Sequence, residues 1–262
     1  MRFAVGDVHG FHDALVASMQ HAGLVDEHRD WSGGEARVCF LGDFFDRGPD
    51  GVGAVESVMR WQKQAAEAGG EIAAVLGNHE LLALGVHKFG ASMINTDRDQ
   101  RSFALAWMTN GGQVSDQDRL RADHVDWLTG LPAILRWDSD ILMHADTCDY
   151  LEIGDTIDAI NDQLAEALGS EDAAVWWAAF RRLTSRYAFL EDSGVDRARQ
   201  LLDRLGGRRI VHGHSTIGDL TDSSAVEVRG PWAYADGLVL AVDGGMYEGG
   251  PLLVVPLETS PA

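Results

Sequence analysis

Two aspartates and an arginine stand close together in LGDFFDRG, Leu41 to Gly48, where an aspartate pair could hold a cation and the arginine an anion. The stretch follows an apolar run, ARVCFL, entered from Gly33 and Gly34, the pattern of a buried strand that ends in a loop. An isolated aspartate at such a place is ordinarily a solvated turn residue. Here it has company. Three other apolar runs end alike, in GDVHG (Gly6 to Gly10), GNHE (Gly77 to Glu80) and HGH (His212 to His214), and a fourth ends at His144 in LMHAD. Five histidines, three aspartates and an asparagine therefore lie at or just beyond the ends of five expected strands.

Carboxylate, imidazole and amide oxygen, with no cysteine in any of these motifs, suit borderline-hard divalent cations such as manganese, iron or zinc. Two such cations need a ligand that bridges them, and Asp43, central among the motifs and with two oxygens, is the natural bridge. Cations about 3.5–4 Å apart can clamp a water between them, deprotonate it near neutral pH and aim it at phosphorus.

The elements that must position these groups are legible from periodicity. Arg2 to Val5 reads as a strand, followed by the ligand loop with Asp7 and His9 at i and i+2, and then by Phe11, Leu15, Val16 and Met19 at helical spacing. The second unit repeats the plan, with a helical pattern of Val52, Val55, Val58, Met59 and Gln62 after the Asp43 loop, and EIAAVLGNHE gives a third strand with its loop. This alternation predicts a layered α/β domain with parallel connections and ligands at the carboxyl ends of the strands. From about 81 to 131 the strand signal lapses into a helical cap, in which the tryptophans and His124 read as packing residues. AILRW and ILMHAD then form a hairpin about Asp138, Ser139 and Asp140. A second helical segment, about 150 to 205, reads as core or lid, from which Arg181, Arg182 or Arg186 could add a phosphate contact. RRIVHGH, SAVEV, LVLAVDGG and LLVVP return as strands of an antiparallel or mixed second sheet, and no linker divides residues 1–262 into separate domains.

The 262 residues carry a net charge of −20, with the acids spread rather than gathered into a tail, so the surface repels nucleic acid and anionic membranes. Two cations and Arg47 would make the site itself locally positive. The two cysteines build no disulfide framework: Cys39 belongs to a strand core, and Cys148, four residues after His144, reads as a packed thiol rather than a metal neighbour. With no basic-then-apolar leader and no run long enough to span a bilayer, a reducing, cytoplasmic setting is expected.

Taken in order, GDVHG, GDFFDRG, GNHE, His144 and HGH resemble the calcineurin-like metallophosphoesterases, and among them the bacterial and phage members of the phosphoprotein phosphatase family. VDGGMYEGGPL and WMTNGG are similar to the family's closing turn and cap, less specifically. The resemblance implies a four-layer αββα sandwich with helical cap insertions and two divalent metal ions, manganese foremost, with iron, zinc or cobalt also suited. It implies that Asp7, His9 and His214 hold the first metal with the bridge Asp43, and that Asn78, His144 and His212 hold the second. His79, paired with Asp46, would be the general acid. Arg47 would neutralise phosphate charge, with Asn78 and His79 also at the phosphate. The implied reaction is phosphomonoester hydrolysis, with phosphoserine and phosphothreonine proteins as leading substrates and small phosphomonoesters also admitted.

Two departures bear on the substrate: Leu76 precedes GNHE where many eukaryotic members carry arginine, and HAD replaces HAG or HGG. Eukaryotic substrate grooves are therefore not expected. A rival is the symmetrical diadenosine tetraphosphate hydrolase class, which shares GDxHG but typically loses the aspartate at position 46 and ends the third motif in aspartate; Asp46 and Glu80 are both present here. A non-catalytic metal-binding scaffold would lack a ligand, and none is missing. A nuclease would need a basic track, which this acidic chain does not offer.

Overall fold

A computed structural model describes residues 1–95, 99–190 and 192–257. Its strands are β1 (Arg2–Val5), β2 (Arg37–Phe40), β3 (Glu71–Ala74), β4 (Ile94–Asn95), β5 (Gln100–Arg101), β6 (Ile134–Trp137), β7 (Asp140–Met143), β8 (Arg209–His212), β9 (Trp232–Tyr234), β10 (Val239–Ala241) and β11 (Val254–Pro256). The helices are α1 (His12–His21), α2 (Gly51–Glu67), α3 (Asn78–Phe89), α4 (Phe103–Thr109), α5 (Val114–Arg119), α6 (Ala122–Thr129), α7 (Ile157–Gly169), α8 (Ala173–Thr184), α9 (Gly194–Leu205) and α10 (Ile217–Thr221).

Two mixed sheets lie face to face. The first runs β11-β1-β2-β3 and the second β6-β7-β8-β10-β9. In the first, β1, β2 and β3 are parallel and β11 closes the edge antiparallel to β1; in the second, β7, β8 and β10 are parallel between antiparallel edges β6 and β9. Because side chains alternate across a strand, each strand feeds two layers. Ala4, Cys39 and Val255 of one sheet and Trp137, Leu142 and Val211 of the other share the apolar layer between the sheets. Their neighbours Phe3, Val5, Val38, Phe40, Ile141, Met143, Ile210 and Val239 belong to the larger core shared with the helices. There α2 lies on β3, and α7 and α9 lie on β6 and β8. The result is the αββα sandwich expected from the motifs. Its parallel strands leave their carboxyl ends, and the loops after them, at one edge of the sandwich.

Four local expectations differ from the structure. Asp140 opens β7 rather than sitting in the turn, because its buried carboxylate accepts a forked pair of bonds from Arg209 at 2.8 and 3.1 Å. SAVEV is no strand: Ala225–Glu227 is a short 3-10 turn, and the edge of the second sheet is taken by Trp232–Tyr234. The cap between 81 and 131 contains the small β4–β5 hairpin as well as helices, and GNHE is already the first turn of α3. Cys39 is fully buried between the sheets and Cys148 is half-buried against the core, both free thiols.

Candidate active site

Two glycines bring the strand-end loops together. A Cβ on Gly77 would collide with Asp43 Oδ1, and one on Gly213 with Asp7 Oδ1, so only glycine lets these main chains approach the carboxylates. His9, Asp43, Asp46, Arg47 and His214 all have left-handed backbone, with φ between 46° and 71°. Such geometry persists only where the surroundings impose it, and it clusters at working sites.

Much of that imposition comes from Glu80, which is fully buried. Its carboxylate accepts from the backbone N–H of Asp43 (2.8 Å), Phe44 (2.7 Å) and Gly77 (2.9 Å), stapling the Asp43 loop to the start of α3. From that turn, the His79 N–H donates to Asp43 Oδ1 at 2.9 Å.

Two groups of donor atoms converge within 4.8 Å: His9, Asp43 and His79, and Asp43, His144 and His214. Asp43 belongs to both, as a bridge must. Asp7 flanks the first group, its Oδ2 lying 3.9 Å from His9 Nε2 and accepting from the His214 N–H at 2.9 Å. Asn78 flanks the second, with Oδ1 2.9 Å from His144 Nε2. One ring nitrogen of each ligating candidate is spent on a carbonyl: His9 Nδ1 on Phe45 (3.1 Å), His144 Nδ1 on Leu41 (2.7 Å) and His214 Nε2 on Thr184 (3.1 Å). That fixes each ring and leaves the other nitrogen turned to the cluster, the arrangement that metal-ligating histidines adopt. With His144 Nδ1 donating, its Nε2 and the Asn78 oxygen are two acceptors facing each other, which calls for a proton or a cation between them. The donor set therefore fits divalent cations.

The structure separates the two histidines of HGH. His212, expected to hold the second cation, has both ring nitrogens engaged elsewhere, Nδ1 with the Gly213 carbonyl at 2.8 Å and Nε2 with the Tyr234 hydroxyl at 2.9 Å. His214, expected on the first cation's side, stands instead with Asp43 and His144. The reason is the backbone. The i, i+2 alternation would put both rings on one face, but the strand ends at His212 and His214 takes φ 65°.

The electrostatics follow from burial. Desolvation and the charges of Asp243 and Asp43 hold the Asp7 carboxyl well above the usual carboxylate range, while the surrounding histidines keep Asp43 well below it despite its own burial. Burial holds His9 and His214 well below the usual imidazole range, so both are neutral and ready to ligate. Burial opposes charge on His144, yet the Asp43 carboxylate beside it pushes that ring upward.

Beside the bridge lies an oriented pair. His79 Nδ1 donates to Asp46 Oδ2 at 2.7 Å, and Trp107 of α4 donates its indole N–H to Asp46 Oδ1, also at 2.7 Å. The other nitrogen of His79 lies 4.0 Å from Asp43 Oδ2. Trp107 is thus a buried support for the pair as well as a packing residue, and WMTNGG was its only signal in the sequence. Arg47 is stacked on Tyr247, with the guanidinium carbon 3.4 Å from the ring centroid, and its backbone N–H donates to the Gly111 carbonyl at 2.7 Å. Tyr247 also meets the edge of His9 at 5.1 Å. Of the lid arginines, Arg186 is exposed and its charge acts on His214. Arg181 and Arg182 line a separate cavity with Asp149 and Glu152. The Asp146 of HAD ties that lid to the site, accepting from Ser215 Oγ at 2.6 Å and from the Tyr187 N–H at 2.8 Å.

Comparison with known proteins gives the same picture. Shewanella-like protein phosphatase 2 of Arabidopsis thaliana is 34% identical over 79 residues, 30% of this chain and 20% of that protein. The symmetrical bis(5'-nucleosyl)-tetraphosphatase of Cronobacter sakazakii is 30% identical over 146 residues, 55% of this chain and 42% of that protein. The matches thus span well under half of these relatives' lengths. The crystal structure of a cold-active protein-tyrosine phosphatase from a psychrophilic Shewanella superimposes with a TM-score of 0.69 over 97% of this chain and 73% of that one, at 21% identity, a likeness of fold. A family model described as calcineurin-like phosphoesterase matches residues 3–228, a stretch that takes in every strand-end loop bearing the aspartates, histidines and asparagine described above. With the same loops meeting at one edge of the same sandwich, the chain belongs to the calcineurin-like phosphoesterase family.

Proposed function

We propose that the protein is a metal-dependent phosphomonoester hydrolase acting on phosphorylated proteins, with phosphoserine and phosphothreonine the leading substrates. The observation that carries this reading is the buried Asp46–His79 pair at 2.7 Å. A monoester leaves as an alkoxide and needs a proton, and a histidine with one nitrogen fixed by a carboxylate and the other turned to the bridging ligand is placed to give it. In this reading Asp7, His9 and Asp43 hold one divalent cation, and Asp43, Asn78, His144 and His214 hold the other, with His212 left as a support. When bound, the cations neutralise phosphoryl charge and acidify water at neutral pH. Arg47 binds phosphoryl oxygens through its fork, which stacks on Tyr247 while the Arg47 main chain is tied to Gly111. Arg186 offers a second, exposed charge that acts on His214.

The tetraphosphatase relative supports a second reading, hydrolysis of a dinucleoside polyphosphate, since it matches the larger share of this chain. One assay separates the two. Manganese-loaded protein is given p-nitrophenyl phosphate, phosphothreonine and phosphotyrosine peptides, and diadenosine tetraphosphate side by side. Monoester turnover with little cleavage of the dinucleotide is the expected result. The reverse order would overturn the phosphatase reading and leave Asp46 serving another leaving group.

A further inference from the structure

Asp243 lies two residues beyond β10 and is 1% exposed. Its Oδ1 accepts from the Gly245 N–H at 2.9 Å, but its Oδ2 has no partner. Among the described residues only His124 Nε2 and Arg182 Nε share that condition, and each of these nitrogens has a carboxylate within reach, Glu56 at 3.5 Å and Glu152 at 3.8 Å. The orphan oxygen of Asp243 has no such counter-charge. Its surroundings are instead acidic. The charge of Asp243 acts on Asp7 more strongly than that of Asp43 does, and Asp243 itself feels Asp43, His144 and Arg47. The main chains explain the closeness: a Cβ on Gly6 would run into the Val242 carbonyl and sit 3.3 Å from Asp243 Cα, so Gly6, the chain neighbour of Asp7, packs against residues 242–243.

An unpaired carboxylate inside a protein is costly, so one that persists calls for a partner. Asp243 thus joins Asp7 and Asp43 in a cluster of three buried carboxylates, with one oxygen that no hydrogen bond satisfies. With His214 in the other group, the Asp7 side has His9 and Asp43 converging with His79, whose ring is already paired with Asp46, and Asp7 beside them 3.9 Å from His9 Nε2. We propose that Asp243 completes the donor set on that side, its free oxygen serving the divalent cation held by Asp7, His9 and Asp43. This rests on the metal-dependent reading above. It makes Asp243 a cation-site residue selective for one of the two positions, with no part in proton transfer.

The test is Asp243→Asn in the full chain, because asparagine keeps the acceptor for Gly245 and replaces the free carboxylate oxygen with an amide nitrogen that cannot ligate a cation. Manganese binding is followed by calorimetric titration and by metal analysis after dialysis, with a thermal melt of the metal-free proteins alongside. The wild type should take up two ions. The variant should keep one at wild-type affinity and bind the other about 10–100-fold more weakly, while its metal-free melt is no lower than that of the wild type. Equal affinities in both proteins, equal weakening of both ions, or a variant that does not fold would overturn the inference, the last because the carboxylate would then be structural. A wild type that binds no divalent cation would instead overturn the metal-dependent reading itself.

Discussion

His79 shows how much of one residue's role is carried by its main chain. Its N–H orients the carboxylate of Asp43, the proposed bridge, while its ring alone makes the pair with Asp46. His79→Ala therefore removes the acid and leaves the ligand geometry. Metal content should stay near the wild-type level and turnover of a phosphothreonine peptide should fall about 10²-fold or more. Wild-type turnover in this variant would take His79 out of the mechanism. Trp107→Phe is the graded companion: it keeps the bulk but removes the indole N–H from Asp46, so Asp46 loses one of its two restraints. Its activity should lie between those of the wild type and His79→Ala, with metal content again unchanged.

At the scale of elements, the first turn of α3 acts as a clasp. Glu80 gathers three backbone N–H groups from two loops, and each is buried with the carboxylate. Glu80→Gln sets an amide donor against at least one of them. A buried donor left unpaired costs about 1–3 kcal/mol, so the melting temperature should fall by roughly 4–12 °C for a loss of about 2–3 kcal/mol, with weaker metal retention because Asp43 is no longer held. A Glu80→Gln protein that melts and binds metal like the wild type would show that the clasp is not needed. The same element marks what the sequence could and could not reveal. Strand ends were legible because buried parallel strands are short apolar runs and their loops carry the polar residues, so Asp7, His9, Asp43, Asn78 and His144 could be located in advance. The clasp was not legible, because a bond from residue 80 to residues 43 and 44 leaves no trace in local periodicity. For the same reason Trp107 read as packing only. The resemblance implies a separate cation for each of His212 and His214, but the backbone turns left-handed at His214, which brings His214 beside Asp43 and His144 and leaves His212 bonded to Gly213 and Tyr234. SAVEV has strand composition, but Trp232–Tyr234 takes the antiparallel place beside β10.

For the molecule as a whole, charge is the organising quantity. The chain has a net charge of −20, and no helix among the described residues is long and apolar enough to cross a membrane. Acidity at the surface is solvated, but at the site it is buried. Burial and neighbouring carboxylates push Glu80 up to about 7 and Asp243 up to about 6, and hold Asp7 well above its usual range. A carboxyl raised on folding favours the metal-free folded state at pH below its unfolded value, and that contribution is lost as pH rises through about 6 to 7. Bound cations oppose the loss, since they favour the ionised carboxylates. Protons and cations therefore compete at Asp7, Asp243 and His144, whereas His9 and His214, already neutral, add nothing to the competition. The rise in melting temperature produced by manganese should accordingly be small at pH 5, grow through pH 6 and 7, and level off above about pH 7. Melts with and without the metal across this range would measure it. A manganese effect already complete at pH 5 would mean that these carboxyls ionise in the ordinary range, and that the acidic cluster is far better solvated than its burial implies.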